Sequence, residues 1–563
     1  MYYFALNKKL MKQLLGIFLM SLSISCQKEE LQPSYSAPAF DYLDPVLMPP
    51  FFKEVSEGDI LILSEGWQYH GWDTLPGKEM DFPDFPQGKS IKIPHSIIQP
   101  NSNIWYTGSF KISEGYLRII GDDGAQVWSD GKRIYQNEDQ LYLVGGNLGQ
   151  EIKLKIRVIN NAVSGGLKEV NWVSQESWNK MKSRRKSAYD SAVHLAKKTL
   201  WLSPEYPKDW NDYPIWFTNP IVLPNPEKGN ITIRWVGEKK SNAQVHFGNE
   251  PSLILESVKA IEEDGIYTAI VPRHKYRFYF FEMNKTKSPL FSLHKPNLQK
   301  EISFAVWADS QGGWKIFSQI LDQIKTNQPD FSIGIGDLVG NGAKPWQYAQ
   351  LVELLSRIPV PHHLFTGNHD YDGSYDGWKP IHFESYLRTK NQKPYDYWEE
   401  GPCAFIALDP NANFPVSVPE STTQFEWFGK IIQSEGWKNA TWKIILVHQP
   451  PFSQGWMDYH GEYSIRKLLQ PYWESGLIDL VISGHTHDYE KLILQYEKGK
   501  TAFVIVGGAG GGLEPDNTLE SYPKMDTVIR AHHFGWIEAG DERLEFKAID
   551  LEGNQIDGFT LVK

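Results

Sequence analysis

Five apolar runs in the second half of the chain each stop at residues that can bind a metal or carry a proton. ISFAVWADSQ ends in Asp309 and Gln311, and FSIGIGDLVGNG delivers Asp337. VPHHLFTGNHD delivers Asn368, His369 and Asp370, WKIILVHQPP delivers His448, and LIDLVISGHTH delivers His485 and His487. Short continuous apolar runs, with helical stretches between them, predict buried strands of an α/β domain. In such sheets the chemistry gathers at the carboxyl ends of the strands. Each ending has a plain reading when taken singly: GNHD can be a turn, and HQPP a core histidine before a proline stop. Chance does not produce five in succession. His485 and His487, one residue apart on a loop begun by Gly484, predict shared metal binding.

The remaining composition bounds the partners. A chain of 563 residues has room for roughly three to four domains of about 150 residues each. The net charge is −11 and there is no block of Lys or Arg. That excludes nucleic acid as the main partner, because a phosphate backbone demands clustered cations. The 21 Trp, 27 Tyr and 28 Phe fit β-rich domains and aromatic-lined surfaces.

The first residues predict export. KKLMKQLLGIFLMSLSISC has a basic flank, an apolar core too short to span a bilayer, and small residues before Cys26. This pattern resembles a bacterial lipobox, which implies a signal segment over 1–26 and lipidation of Cys26. QKEE at 27–30 resembles the export signal of surface lipoproteins in Bacteroidetes-type bacteria. The resemblance implies an outer-membrane lipoprotein, exposed at the cell surface or facing the periplasm, with a lipid as its only membrane contact. Cys403 is the one other cysteine, so the mature chain has no disulfide partner for it.

Residues 27–50 are Pro-rich and polar and read as a tether. Residues 51–172 alternate strand-like runs with Gly/Asp turns, such as NIWYTGSFKI and YLRIIGDDGAQVWSDGKRIY. They resemble jelly-roll, galactose-binding-like modules, and this N-terminal β-sandwich is a candidate glycan binder through Trp105, Trp128 or Trp172. The plain alternative is core tryptophans in a spacer. SQESWNKMKSRRKSAYDSAVHLAKKTL predicts a helix capped at Ser174 or Ser177, within a helical linker over 173–214. Over 215–297 the runs NITIRWVG, AQVHFG, GIYTAIV and YRFYFFE predict a second β-sandwich, of fibronectin type III character.

Together GD, GNHD, the single His before QPP, and GHTH resemble the calcineurin-like metallophosphoesterases, and among these the purple acid phosphatases. The likeness runs over 215–563 and includes VGGAGGG at 506–512. It implies a fibronectin-like sandwich ahead of a four-layer α/β/β/α metallophosphoesterase domain at 298–563. It also implies two divalent metal ions (Fe, Zn or Mn). Carried over residue by residue, His487 joins Asp309 and Asp337 on one ion, while His485 joins Asp337, Asn368 and His448 on the other. Asp337 bridges the two at roughly 3.5 Å, and a hydroxide held between them attacks phosphorus. His369 then hydrogen-bonds the phosphoryl oxygen or protonates the leaving oxygen.

The sequence departs from that pattern. Gly340 stands where the purple enzymes have a tyrosine ligand, which puts their colour and ferric preference in doubt. Gln311 stands where other members have a histidine; it is either a weak oxygen ligand or an amide that lies behind the ligands or faces the substrate. Gln449 stands where relatives often have His, so it is a substrate-contact candidate. His460 is expected at or beside the site. The implied function is a phosphomonoesterase acting on small phosphoesters. The alternatives are a phosphodiesterase with the same centre, or a non-catalytic glycan-binding surface lipoprotein.

Cys26→Ala is expected to move the protein from the membrane fraction to the soluble fraction with the catalytic domain still folded. Unchanged membrane association on fractionation contradicts the lipobox reading.

Overall fold

In the computed structural model the described residues are 34–47 and 60–563, apart from short segments at 76–86, 138–140, 147–148, 162–163, 203–205, 207, 274–275, 295–300, 374–378, 389–391, 416, 457–458 and 516–522. The signal segment 1–26, the Cys26 lipidation site and the acidic stretch after it lie outside the described residues.

The tether expectation for 27–50 needs correction. Tyr35 and Leu43 are fully buried, and Phe40, on the short helix Phe40–Leu47, stacks on Trp346 at 4.9 Å. Asp44 accepts a hydrogen bond from the Trp346 indole at 3.1 Å. Apolar residues spaced among the prolines give residues 34–47 enough burial to dock against the second sandwich and the catalytic domain.

The N-terminal sandwich pairs a four-stranded sheet with a six-stranded one. Its candidate glycan-binding tryptophans are engaged in the fold. Trp105 is fully buried and donates to Asp73 at 2.6 Å; Trp128 is 8% exposed with the Lys155 ammonium over its ring; Trp172 is half-buried and donates to the Ser113 carbonyl at 3.2 Å. The linker is dominated by the helix Gln175–Leu200, where Ser174 Oγ accepts the Ser177 N–H at 3.2 Å. In the second sandwich the long strand Leu253–Glu263 pairs with Ile266–Pro272 at one end and Ala243–Glu250 at the other, joining the two faces.

Two mixed sheets make the α/β domain that follows. The first, six-stranded, has Ile302–Trp307 beside Phe331–Ile335 and Phe331–Ile335 beside His362–Phe365, all parallel. The second, seven-stranded, runs Cys403–Leu408, Trp442–Val447, Leu480–Ser483 and Gly499–Val506 in parallel register. Their inner faces share one dry core containing Phe304, Phe331, Phe405, Ile444 and Ile482. Helices Trp314–Asn327 and Pro345–Leu355 cover the outside of the first sheet; Thr423–Ile431 and Tyr463–Glu474 cover the second. The chain is therefore multidomain, β-rich at its N-terminal end and α/β thereafter.

The sandwiches are fixed to this domain. Arg273 forks onto Glu400 with two contacts of 3.0 Å, and the buried Arg234 donates to the Arg388 carbonyl at 2.8 Å. On the N-terminal side Ile159 packs with Tyr371 and Phe414 in a buried cluster, and Asn101 donates to Glu462 at 2.9 Å.

Candidate metal centre

The centre sits where the carboxyl edges of the two sheets meet. Asp309, Asp337 and Asn368 come from the first sheet; His448, His485 and His487 come from the second. Asp309, Gln311, Asp337 and His485 all have positive φ, at 61°, 40°, 50° and 76°. Non-glycine residues rarely adopt this region, at a cost of about 1–3 kcal/mol each. Backbone bonds hold them there: the Asp309 N–H donates to Gly336 at 3.2 Å, and Gln311 N–H to the Asp337 carbonyl at 3.1 Å. Two glycines are needed for the close approach. A Cβ on Gly336 would lie 2.5 Å from His448 Nδ1, and one on Gly367 would lie 2.2 Å from Asp337 Oδ1.

Hydrogen bonds aim the donors inward. His448 Nδ1 lies 2.8 Å from the Ile335 carbonyl, and His487 Nδ1 lies 2.7 Å from the Gly512 carbonyl. A carbonyl can only accept, so both Nδ1 atoms carry a proton and both Nε2 atoms face the site. Asp309 Oδ2 accepts the His485 N–H at 2.8 Å, while its Oδ1 is 3.7 Å from His487 Nε2 and 3.9 Å from His448 Nε2. Asp337 Oδ2 is 3.3 Å from His448 Nε2, and Asp337 Oδ1 accepts the His369 N–H at 2.8 Å. Asn368 Oδ1 is 3.0 Å from His485 Nδ1.

These groups fit metal ions. Asp309 Oδ1, His448 Nε2 and His485 Nε2 are buried and have no hydrogen-bond partner. An unmet buried polar atom costs about 1–3 kcal/mol. Unmet atoms on neighbouring ligating side chains make sense if cations complete them. One atom each of Asp337, His448 and His485 lies within 4.8 Å of the others. Asp309 Oδ1 and His487 Nε2, 3.7 Å apart, are a further pair of donors. Mixed nitrogen and oxygen donors suit Zn, Fe or Mn better than Ca.

The charges are strongly coupled. Burial, against the opposing pull of His448, raises the Asp309 carboxyl well above its ordinary range. Burial would raise Asp337 too, but His448 and His369 outweigh it and hold that carboxyl low. His448 is depressed by burial, yet Asp337 and Asp309 bring it up to about 9. His485 is driven well down by burial and by its neighbour His448.

The three remaining candidates are placed as follows. Gln311 presents Nε2 to Asp337 Oδ2 at 2.8 Å, so its amide orients that carboxylate, in keeping with an amide that lies behind the ligands. His460 is exposed, because Arg466 takes its carbonyl at 2.6 Å and turns the residue outward. Trp456 and Tyr459 pack on His485 instead, at 4.8 and 5.6 Å between ring centroids. Gln449 is buried and donates to Asn411 Oδ1 at 2.6 Å, which ties it to the Asp409 network. His369 is 29% exposed at the mouth, with Nδ1 2.7 Å from Asp372 Oδ2. The i, i+3 spacing in HDYD was a readable signal for Asp372. Asp123, which the structure also brings near His369, carried no local signal at all.

No phenolate comes from position 340, where a Cβ would already lie 2.7 Å from the Gln311 carbonyl. Tyr371 donates its hydroxyl to Asp409 at 2.6 Å, and Tyr459 donates to Glu462 at 3.1 Å. Tyr375, in the loop after GNHD, lies outside the described residues.

A calcineurin-like phosphoesterase family model matches residues 302–489. Over 254 residues the chain is 26% identical to a protein of Arabidopsis thaliana named probable inactive purple acid phosphatase 24, covering 38% of this chain and 40% of that protein. Over 270 residues it is 25% identical to a nucleotide pyrophosphatase/phosphodiesterase of Hordeum vulgare, covering 41% of this chain and 72% of that protein. The chain spans 40%, 41% and 45% of the length of three Arabidopsis relatives named probable inactive. A purple acid phosphatase from seeds of yellow lupin (Lupinus luteus) superposes with a TM-score of 0.53 at 15% identity, covering 82% of this chain and 92% of that one, which shows a common fold.

With no tyrosinate in the donor set among the described residues, the purified protein is expected to be colourless, stripped by EDTA and reloaded by Mn, Zn or Fe(II). An absorption band at roughly 500–600 nm, where phenolate-to-iron(III) charge transfer falls, contradicts this. Metal uptake must displace the His448 proton, so affinity is expected to be weaker at pH 6 than at pH 8, read by calorimetric titration. Gln311→Ala is expected to keep its metal content and lose activity.

Proposed function

We propose that this chain, which carries a calcineurin-like phosphoesterase domain over residues 302–489, is a metal-dependent phosphoester hydrolase acting chiefly on small phosphomonoesters. The observation that supports the reading is the buried cluster of Asp337, His448 and His485, with one ligating atom of each within 4.8 Å of the others, beside Asp309 and the part-exposed His369. Asn368 and His487 bring the carried-over donors to six, while Gly340 replaces the tyrosine ligand of the purple enzymes. Relatives named inactive do not transfer that word to this chain, because decay of a metal site begins with loss of its ligands.

Two divalent ions, when bound, would supply Lewis-acid charge to the phosphoryl oxygens and an ionised water as nucleophile near neutral pH. The chain's own residues do the rest. Asp337 spans both donor groups, held at one oxygen by the His369 N–H and at the other by Gln311. His369 stands 3.9 Å from Asp337 Oδ2, where its ring can donate to a phosphoryl or leaving oxygen. Asp372 raises the His369 pKa well above its ordinary value against the effect of burial, so the ring is a proton-bearing donor across the working range. Trp456 and Tyr459 shield the His485 side from water.

The likeness to a barley protein named nucleotide pyrophosphatase/phosphodiesterase keeps a diesterase as the second reading. A purely glycan-binding role finds no support in Trp105 or Trp128, which are buried in their own domain. In the same proposal the enzyme is tethered through Cys26 to the outer membrane, at the surface or facing the periplasm. No helix among the described residues is long and apolar enough to cross a membrane.

Hydrolysis of p-nitrophenyl phosphate and bis-p-nitrophenyl phosphate, measured side by side on metal-loaded protein, tests the reading. The monoester is expected to turn over faster, and His369→Ala to cost about 10²–10⁴-fold in kcat. Preference for the diester selects the second reading, and turnover of neither contradicts both.

A further inference from the structure

The N-terminal sandwich reaches into the phosphoester site. The turn between its strands Gly115–Ile120 and Gly124–Ser129 carries Asp122 and Asp123. Asp122 pairs with Lys168 of the same sandwich. Asp123 is 5% exposed, and its Oδ2 accepts the Asn161 N–H at 2.5 Å. One ligating atom each of Asp123, His369 and Asp372 lies within 4.8 Å of the other two. The sandwich is seated there by the Ile159–Tyr371–Phe414 cluster and by the Asn101–Glu462 hydrogen bond. Tyr371 is two residues from His369, so the apolar contact fixes the loop beside the site.

A third metal ion is the competing explanation of this triad. Two ligands on a tetrahedral ion with bonds of about 2.0–2.1 Å stand roughly 3.3 Å apart. His369 Nδ1 and Asp372 Oδ2 are 2.7 Å apart, the length of a charge-assisted hydrogen bond. The His369–Asp372 pair is therefore already bonded, with Asp123 as an additional carboxylate at its side.

We propose that Asp123 is a positioning residue of the phosphoester site: the sandwich sets this carboxylate beside His369, so that the ring is flanked by two carboxylates and its orientation is complete only with the N-terminal domain docked. The proposal rests on the phosphoester reading of His369. Asp372 fixes one ring nitrogen, and one hydrogen bond by itself leaves the tilt of a ring that is 29% exposed undetermined. A second anion on the sandwich side narrows that freedom, and orientation within a fraction of an ångström governs hydrogen-bond catalysis. The first domain thereby becomes part of the active site.

The test uses full-length metal-loaded protein and Asp123→Asn, which keeps an acceptor for the Asn161 N–H and so preserves the turn. Two readouts are taken: kcat and KM on p-nitrophenyl phosphate against phenyl phosphate, and the rate at which diethyl pyrocarbonate modifies His369, mapped by peptide mass. Loss of an oriented donor hurts the poorer leaving group more, so kcat is expected to fall about tenfold on phenyl phosphate and less than about twofold on p-nitrophenyl phosphate, with metal content unchanged. His369 is expected to be modified several-fold faster in the variant. Equal losses on both esters, an unchanged modification rate, or loss of a third bound ion would each overturn the proposal. If wild-type protein hydrolyses neither ester, the phosphoester reading fails, and the modification rate still decides whether Asp123 holds the ring.

Discussion

The close face-to-face packing of two parallel-edged sheets is the constraint on which the site depends. Phe304 and Phe405 meet across the dry core at 5.5 Å, edge to face, and fix the spacing of the layers. At the carboxyl edge the layers converge further. A Cβ on Gly484 of the second sheet would stand 2.5 Å from Ala308 Cβ and 2.5 Å from Asp309 Oδ2 of the first. Backbone and carboxylate share that space only because residue 484 has no side chain. Donors from two sheets can then surround common points, which neither sheet provides alone.

Burial at this seam is costly, and the fold concentrates that cost where it has a chemical use. The strained backbone at Asp309, Asp337 and His485, the unmet donor atoms and the opposed pKa shifts of Asp309 and Asp337 occur within one small volume. Two buried acids close by show the alternative of full hydrogen bonding. Asp370 accepts from Gly367 N–H and Tyr348 hydroxyl, and Glu490 accepts from Ser453, Thr486 and the Gln454 N–H.

The α/β character and the donors at strand ends were legible in the sequence because buried parallel strands are continuous apolar runs and their ends are abrupt. Asp309, Asp337, Asn368, His448, His485 and His487 each follow such a run directly. Long-range placement was not legible. His460 lies in a polar loop whose direction depends on Arg466 gripping its carbonyl. The prolines of 34–47 suggested a tether, while Tyr35, Phe40 and Leu43 were enough to dock the segment. Asp123 looked like any acidic turn residue, because its neighbours His369 and Asp372 belong to another domain. Local pattern reports what a strand buries, and it carries no record of which distant loop comes to rest on it.

The central claim is a pair of cations sharing Asp337 at the seam between the sheets. Elemental analysis of the purified protein, combined with anomalous difference density from its crystals, tests this most directly. The account predicts two ions per chain roughly 3.5 Å apart. One should lie within bonding distance of Asp309 and His487, the other within bonding distance of Asn368, His448 and His485, and both on Asp337. A single ion, or two ions that leave Asp337 uncoordinated, would contradict it.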